Sequence, residues 1–325
     1  MAELTAEKVV AGVRELEAQV ARAVIGQGEV VRQVIIAMVA GGHVLLEGVP
    51  GLGKTLLVRT LADALGLKFA RVQFTPDLMP ADITGTNLLV DEGGSRQFRF
   101  VHGPIFSNLL LADEINRATP KTQSALLEAM QEKQVTAGDA TRKLPKPFFV
   151  LATQNPVEQE GTYPLPEAQL DRFFFKIMVP FPTASELTEI LNLTLQPAWP
   201  EIKPVPAAVE LFNHPEFIRS VPVAAHLKEM AVKMVLCSHP DHEDAPEAVK
   251  RYVRFGCSPR ALQSLVLAAQ VRALLEGRFN VAQEDLEAVA RPAMRHRMGL
   301  NFEAQADRID ADEIVGAILK AAAPQ

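Results

Sequence analysis

The octapeptide Gly48-Val49-Pro50-Gly51-Leu52-Gly53-Lys54-Thr55 restricts what this chain can fold into more than any other stretch. It fits GxxxxGK(S/T) at every fixed position, a pattern whose glycines let the backbone curl and aim several N–H groups at phosphate. The apolar run His43-Val44-Leu45-Leu46 precedes it and the helix-prone Leu56-Leu57-Val58-Arg59-Thr60-Leu61-Ala62 follows it. The loop therefore joins a buried strand to a helix, whose positive dipole end points at the same phosphate. In this setting Lys54 reaches the β- and γ-phosphates of a nucleotide, and Thr55 offers its hydroxyl to magnesium.

A chain of 325 residues exceeds the usual single domain, so two domains sharing an interface are expected. With 48% hydrophobic and 22% charged residues, it can bury a sizeable core and is too apolar to be disordered. A net charge of −6 argues against a dedicated nucleic-acid binder, which needs basic excess to replace phosphate counterions. Cys237 and Cys257 lie far apart without CxxC spacing, which suggests neither zinc nor a disulfide framework and favours a reducing compartment. The start Met1-Ala2-Glu3-Leu4 lacks a basic and then apolar leader, and the longest apolar stretch, Val34 to Val49, is broken by Gly41-Gly42-His43 and Glu47. A cytoplasmic protein without a membrane span is expected.

Apolar spacing predicts helices over residues 5 to 23 and from Glu29 to Ala40, then a second strand from Leu67 to Phe74. Residues 81 to 102, split by Asp91-Glu92-Gly93-Gly94-Ser95, read as a hairpin insertion with a polar tip. Leu109-Leu110-Leu111-Ala112-Asp113-Glu114 is an apolar strand ending in two carboxylates. Ligands of parallel α/β sheets bind at the carboxyl ends of strands, so these acids can meet whatever the phosphate loop holds. Asp113 suits the magnesium water shell, and Glu114 suits the water that attacks the γ-phosphate. A helix from Thr119 to Gln131 and a second hairpin over 134 to 147, turning at Gly138-Asp139, lead to the strand Phe148 to Thr153. That strand ends at Asn155, whose amide can orient water without adding negative charge. Another strand, Phe173 to Val179, ends at Pro180-Phe181-Pro182-Thr183, the expected domain boundary. Beyond it the periodicity is almost wholly helical, with a basic cluster Arg291, Arg295, His296 and Arg297 expected to favour a helix dipole.

Asp113-Glu114-Ile115-Asn116-Arg117-Ala118, with Lys121, Gln123, Ala125-Leu126-Leu127-Glu128 and Met130-Gln131-Glu132, resembles the signature of the MoxR family of AAA+ ATPases. Ala152-Thr153-Gln154-Asn155-Pro156, Leu165 to Phe173 and Gly256-Cys257-Ser258-Pro259-Arg260 agree with it. The resemblance implies an α/β P-loop NTPase core, a parallel sheet flanked by helices, over residues 1 to 183. A C-terminal all-α lid domain follows over 184 to 325. It also implies ATP and Mg2+ as cofactors and a homo-oligomer, a ring of six subunits.

By resemblance, Ile25, Gly26 and Gln27 lie against adenine. Gly48, Pro50, Gly51, Leu52, Gly53, Lys54, Thr55 and Leu56 hold the phosphates, while Thr55 and Asp113 hold the metal. Glu114, Asn155, Arg172 and Arg260 match catalytic positions: the water activator, the polar sensor, the arginine finger that enters a neighbour's site, and the lid arginine, which also counts among the nucleotide-binding residues of a pocket between core and lid. Arg117 competes with Arg172 for the trans role. The family implies a remodelling or chaperone-like ATPase whose partner carries a von Willebrand factor A domain, with metal-cofactor insertion as one task. Two other readings remain: an ATP-gated assembly scaffold with negligible turnover, and a nucleic-acid motor, which the net acidity disfavours.

Overall fold

A computed structural model describes residues 6–92, 95–137, 140–155 and 161–323. The expected tip Gly93-Gly94, the turn Gly138-Asp139, Pro156 and the first five residues lie outside the described residues. In chain order the first part runs α1 (Ala6–Ala21), α2 (Gly28–Val39), β1 (Val44–Glu47), α3 (Lys54–Leu65), β2 (Phe69–Gln73) and α4 (Pro80–Thr84). The hairpin β3 (Gly85–Glu92) and β4 (Ser95–His102) precedes β5 (Leu109–Asp113), α5 (Pro120–Glu132) and a second hairpin, β6 (Gln134–Ala137) with β7 (Ala140–Lys143). Then come β8 (Phe149–Gln154), α6 (Glu167–Leu170) and β9 (Phe175–Met178).

Among the described residues five strands make one parallel sheet in the order β2-β5-β8-β1-β9. Parallel strands covered on both faces read as continuous apolar runs, which is why Val44-Leu45-Leu46 and Leu109-Leu110-Leu111-Ala112 are buried throughout. Alternate side chains serve opposite faces. Leu46, Leu111 and Leu151 pack with α2 and α3, whereas Leu45, Leu110 and Val150 pack with Leu126 and Met130 of α5. The two hairpins touch: the Arg142 guanidinium lies 3.7 Å above the centre of the Phe100 ring.

The remaining elements are α7 (Ala184–Thr194), α8 (Pro206–Asn213), α9 (Pro215–Arg219), α10 (Ala225–Leu236), α11 (Glu247–Tyr252), β10 (Val253–Phe255) and α12 (Pro259–Leu275). They are followed by α13 (Gln283–Met294), β11 (Gly299–Leu300), α14 (Phe302–Ala306) and α15 (Ala311–Ala322). The helical part thus also carries a short antiparallel pair, β10 with β11, which periodicity did not signal. The first helix, α1, packs on α3 of the core and also on α8 and α12. Arg32 of α2 reinforces this junction by pairing with Glu17 at 2.8 Å and Glu276 at 2.6 Å.

The basic cluster at the end of α13 does more than favour a helix dipole: Arg291 lies in the last turn and Arg297 Nη1 donates to the Ala293 carbonyl of that turn, while the other groups reach beyond the helix. Arg295 pairs with Asp312 at 2.8 Å. His296 donates through Nε2 to the Phe173 carbonyl at 2.9 Å, and Arg297 donates to the carbonyls of Phe173 at 2.6 Å and Phe174 at 3.2 Å and to Asp171 Oδ1 at 3.0 Å. The main-chain carbonyls entering β9 are buried and need donors, so the chain leaves the helix at Met294 to supply them. These bonds clamp the helical domain to the sheet.

Candidate nucleotide site

Lys54 and Thr55 open α3 directly after β1, and the loop geometry explains the two glycines before them. Gly51 and Gly53 adopt φ of +85° and +74°, and a Cβ at either would meet no other atom. The backbone conformation, rather than crowding, selects glycine at both. Lys54 Nζ donates to the Gly48 carbonyl at 2.6 Å, across the mouth of the loop. Burial lowers the Lys54 pKa, and the charges of Asp113, Glu114 and Glu47 oppose that shift. Glu47, the last residue of β1, is itself paired with Lys176 of β9 at 2.8 Å.

Strand register brings the acids to the same edge. Glu47 lies beside Gln154 across the β1–β8 pairing, so Asn155, the next residue, is level with Gly48. Asn155 is buried. Ala112 pairs with Ala152, which puts Thr153 next to Asp113. The Thr153 hydroxyl donates to Asp113 Oδ1 at 2.6 Å and accepts from the Glu114 N–H at 2.8 Å. Asp113 Oδ2 accepts from Arg71 Nη2 at 2.7 Å and Nε at 3.2 Å. Glu114 has a left-handed backbone, φ 55°, uncommon for a residue with a side chain and characteristic of functional sites. Its Oε2 accepts from Gln73 Nε2 at 2.7 Å and pairs with Arg117 Nε at 3.1 Å. Both carboxylates are therefore engaged by cations or amides of their own chain.

Gln27 is buried, and its amide donates to the Leu52 carbonyl at 2.6 Å, propping the phosphate loop from behind. Ile25 and Gly26 line a groove with Val24, Val31, Arg32 and Glu189. Leu56 faces a different groove, beside Arg59 and Trp199. Pro50 is exposed at the loop's outer edge.

Arg172 and Arg260 are brought together, but not at this edge. Both line a cavity of about 300 Å³ with Lys133 at the end of α5 and with Gly42, His43 and Phe174, residues just before the starts of β1 and β9. The phosphate loop leaves the opposite end of β1, so the length of a four-residue strand, about 13 Å, separates the two sites. Arg260 Nη1 lies 3.7 Å from Asp171 Oδ2, whose other oxygen takes Ser258 Oγ at 2.8 Å as well as Arg297. Arg172 is exposed and, among the described residues, its side chain has no ion pair. His43, buried against this cavity, accepts from the Val150 N–H through Nδ1 at 3.0 Å and donates through Nε2 to the Met130 carbonyl at 3.1 Å. Burial pushes its pKa down to about 4.

The chain resembles known proteins over nearly its whole length. A family model described as the ATPase family associated with various cellular activities matches residues 43–175, and an AAA lid domain model matches residues 245–318. The chain is 42% identical to the protein named Chaperone MoxR1 of Mycobacterium tuberculosis, over 98% of its own length and 84% of the relative's. The chain belongs to the MoxR family of AAA+ ATPases. Protein MoxR of Methylorubrum extorquens is 34% identical over 87% of this chain and 86% of its own. A solved structure of a candidate ATPase from Cytophaga hutchinsonii superposes with a TM-score of 0.88 at 41% identity, covering 97% of this chain and 96% of that one. Membership of this AAA+ family carries nucleotide binding with it, and the α/β core with a helical lid is the fold these matches share. No helix among the described residues is long and apolar enough to cross a membrane.

Arg71, Gln73, Thr153, Asp171 and Arg297 receive no site role from the sequence motifs, although Thr153 and Asp171 stand within them. Thr153 was the most accessible of these, because it stands two positions before Asn155 at a strand end. Arg71 and Gln73 become site residues only through the pairing of β2 with β5, which sets Gln73 beside Asp113.

Proposed function

We propose that this MoxR-family chain is a magnesium-dependent ATPase that works as a ring and remodels a partner protein. The observation that carries the reading is the convergence of Lys54, Asp113, Glu114, Thr153 and Asn155 on one sheet edge while Arg172 and Arg260 stand at the other. The loop N–H groups and the α3 N-terminus bind the phosphates, and Lys54 exchanges the Gly48 carbonyl for phosphate oxygen. Thr55 and Asp113 would be the residues that hold Mg2+, which would supply neutralising charge to the phosphates. A metal fits there once Arg71 yields Asp113 Oδ2. Glu114 takes the proton of the attacking water after release from Gln73 and Arg117. Asn155 holds the water's position.

Arg172 and Arg260 are too far from their own phosphate loop to serve it, so this reading assigns both to the site of a neighbouring subunit. A trans arginine is worth ~10³ to 10⁵ in rate, which makes hydrolysis depend on assembly. Arg117, bound to Glu114 in its own chain, is then a cis residue and not the finger. A boundary near residue 183 separates the core from the lid. A ring of six, a von Willebrand factor A domain partner and metal-cofactor maturation are the family's pattern, and the name of the mycobacterial relative supports the chaperone role.

The engaged carboxylates favour one second reading, a nucleotide-gated scaffold that binds ATP with negligible turnover. Phosphate release by the purified oligomer separates the two. Glu114→Gln is expected to keep ATP binding and lose ~10² to 10⁴ in turnover. Wild-type turnover by that variant refutes the assignment of Glu114. In mixtures of Arg172→Ala and Lys54→Ala subunits, some interfaces regain one intact pair, and recovered activity supports the trans arginine.

A further inference from the structure

One buried amide connects the water-activating turn to the segment that carries Arg172. Gln123, in the first turn of α5, has no exposure to solvent. Its Nε2 donates to the Tyr163 carbonyl at 2.8 Å, the Ala118 carbonyl at 3.1 Å and the Ile115 carbonyl at 3.2 Å. An amide has two hydrogens, so three acceptors share them, and every donor the group owns is used on main-chain oxygen. Tyr163 is held a second time, because its N–H donates to the Asn116 carbonyl at 2.6 Å.

These three segments have distinct duties. Ile115 to Arg117 form the short 3-10 turn immediately after Glu114. The left-handed Glu114 backbone persists only where its surroundings over-determine it. The Thr153 hydroxyl fixes its N–H, the Arg117 N–H binds its carbonyl at 2.9 Å, and Gln123 binds the next carbonyl, that of Ile115. From Tyr163 the chain passes through buried Leu165 and α6 to Asp171 and Arg172. An apolar side chain would fill the space of Gln123 but leave the buried carbonyls of Ile115 and Ala118, and the part-buried one of Tyr163, without this donor, a costly arrangement.

We propose that Gln123 is a positioning residue that sets the Glu114 turn against the loop leading to Arg172, so that a shift at one site is transmitted to the arginine serving the next. This inference rests on the ATPase reading above.

The test is Gln123→Glu in the full chain with ATP and Mg2+. The substitution keeps shape and replaces the NH2 with oxygen. An ionised carboxylate has no hydrogen for the three carbonyls, whereas the protonated acid has one. Burial and acceptor neighbours favour the protonated acid, so its pKa lies above the ordinary value of about 4.3. The ratio of variant to wild-type kcat is therefore expected to fall as pH rises from about 6 to about 8.5. At the upper end a displacement of the turn by about 1 Å costs ~10²-fold. Affinity for a fluorescent ATP analogue stays at the wild-type value. Gln123→Met, which has no titrating group, is expected to lose kcat with the same ratio to wild type at every pH, and it serves if the acidic variant does not fold. Wild-type kcat in both variants overturns the proposal, and so does parallel loss of kcat and nucleotide affinity without pH dependence. Turnover by the wild-type chain reads the hydrolytic assignment, whereas the ratio of variant to wild type reads the Gln123 contacts.

Discussion

Asp171→Asn tests whether the helical domain is locked to the sheet by one buried charge pair. Arg297 is almost fully buried, with a side-chain exposure of 2%, while Asp171 retains 20%. The Arg297 guanidinium meets one carboxylate oxygen and several main-chain carbonyls, so Asp171 supplies its compensating charge. Leaving a buried charge without its partner costs ~3 to 5 kcal/mol. The partial exposure of Asp171, and the ability of an amide oxygen to accept the same hydrogen bonds, place the expected loss near the lower end, about 3 kcal/mol. Urea unfolding of Asp171→Asn, Arg297→Met and the double variant gives the pair's coupling directly, and a separate early transition would locate the loss in the lid. Single-variant losses below ~1 kcal/mol, or additivity within ~0.5 kcal/mol, refute the reasoning. Because Arg172 is the next residue and Arg260 faces the other carboxylate oxygen, turnover by the assembled protein should fall with the lock.

Two further outcomes follow from the site. Arg71→Ala removes the cation from Asp113, and since Arg71 is about half exposed the competing interaction is discounted to about 1 kcal/mol, or about fivefold less magnesium for half-maximal turnover; an unchanged or higher requirement sinks the idea that Arg71 competes with the metal. His43 is neutral in the fold, with a pKa depressed from 6.5 to about 4 by burial. The unfolded chain binds its proton first, so its contribution is complete above about pH 6.5 and is lost as pH falls toward 4, about 3 kcal/mol in all. His43→Gln should flatten that part of the stability profile relative to wild type, and an unaltered slope between pH 6.5 and 4 counts against it.

Much of the molecule was legible in local chemistry. Glycines that must adopt positive φ, an apolar strand before them and a helix after them specify the phosphate loop within a dozen residues. Asp113, Glu114 and Asn155 were legible because each ends an apolar run, and strand ends of a parallel sheet are where ligands sit. The helix-end role expected of the basic cluster is only part of what it does: Arg297 caps the Ala293 carbonyl, but it and His296 also satisfy the carbonyls of Phe173 and Phe174 just before β9, more than a hundred residues earlier, which a local helix pattern cannot show.

The sequence by itself determined that this chain has a phosphate-binding loop, paired acids and an α/β core, since each follows from contacts within a few residues. Only the tertiary structure decided which groups occupy those acids and at which edge each arginine stands. Strand order and register put Arg71 and Gln73 beside Asp113 and Glu114, and the direction of β1 separates the phosphate loop from Arg172 and Arg260. Pairing between distant strands is selected by how whole faces pack, so no short stretch of the chain encodes it.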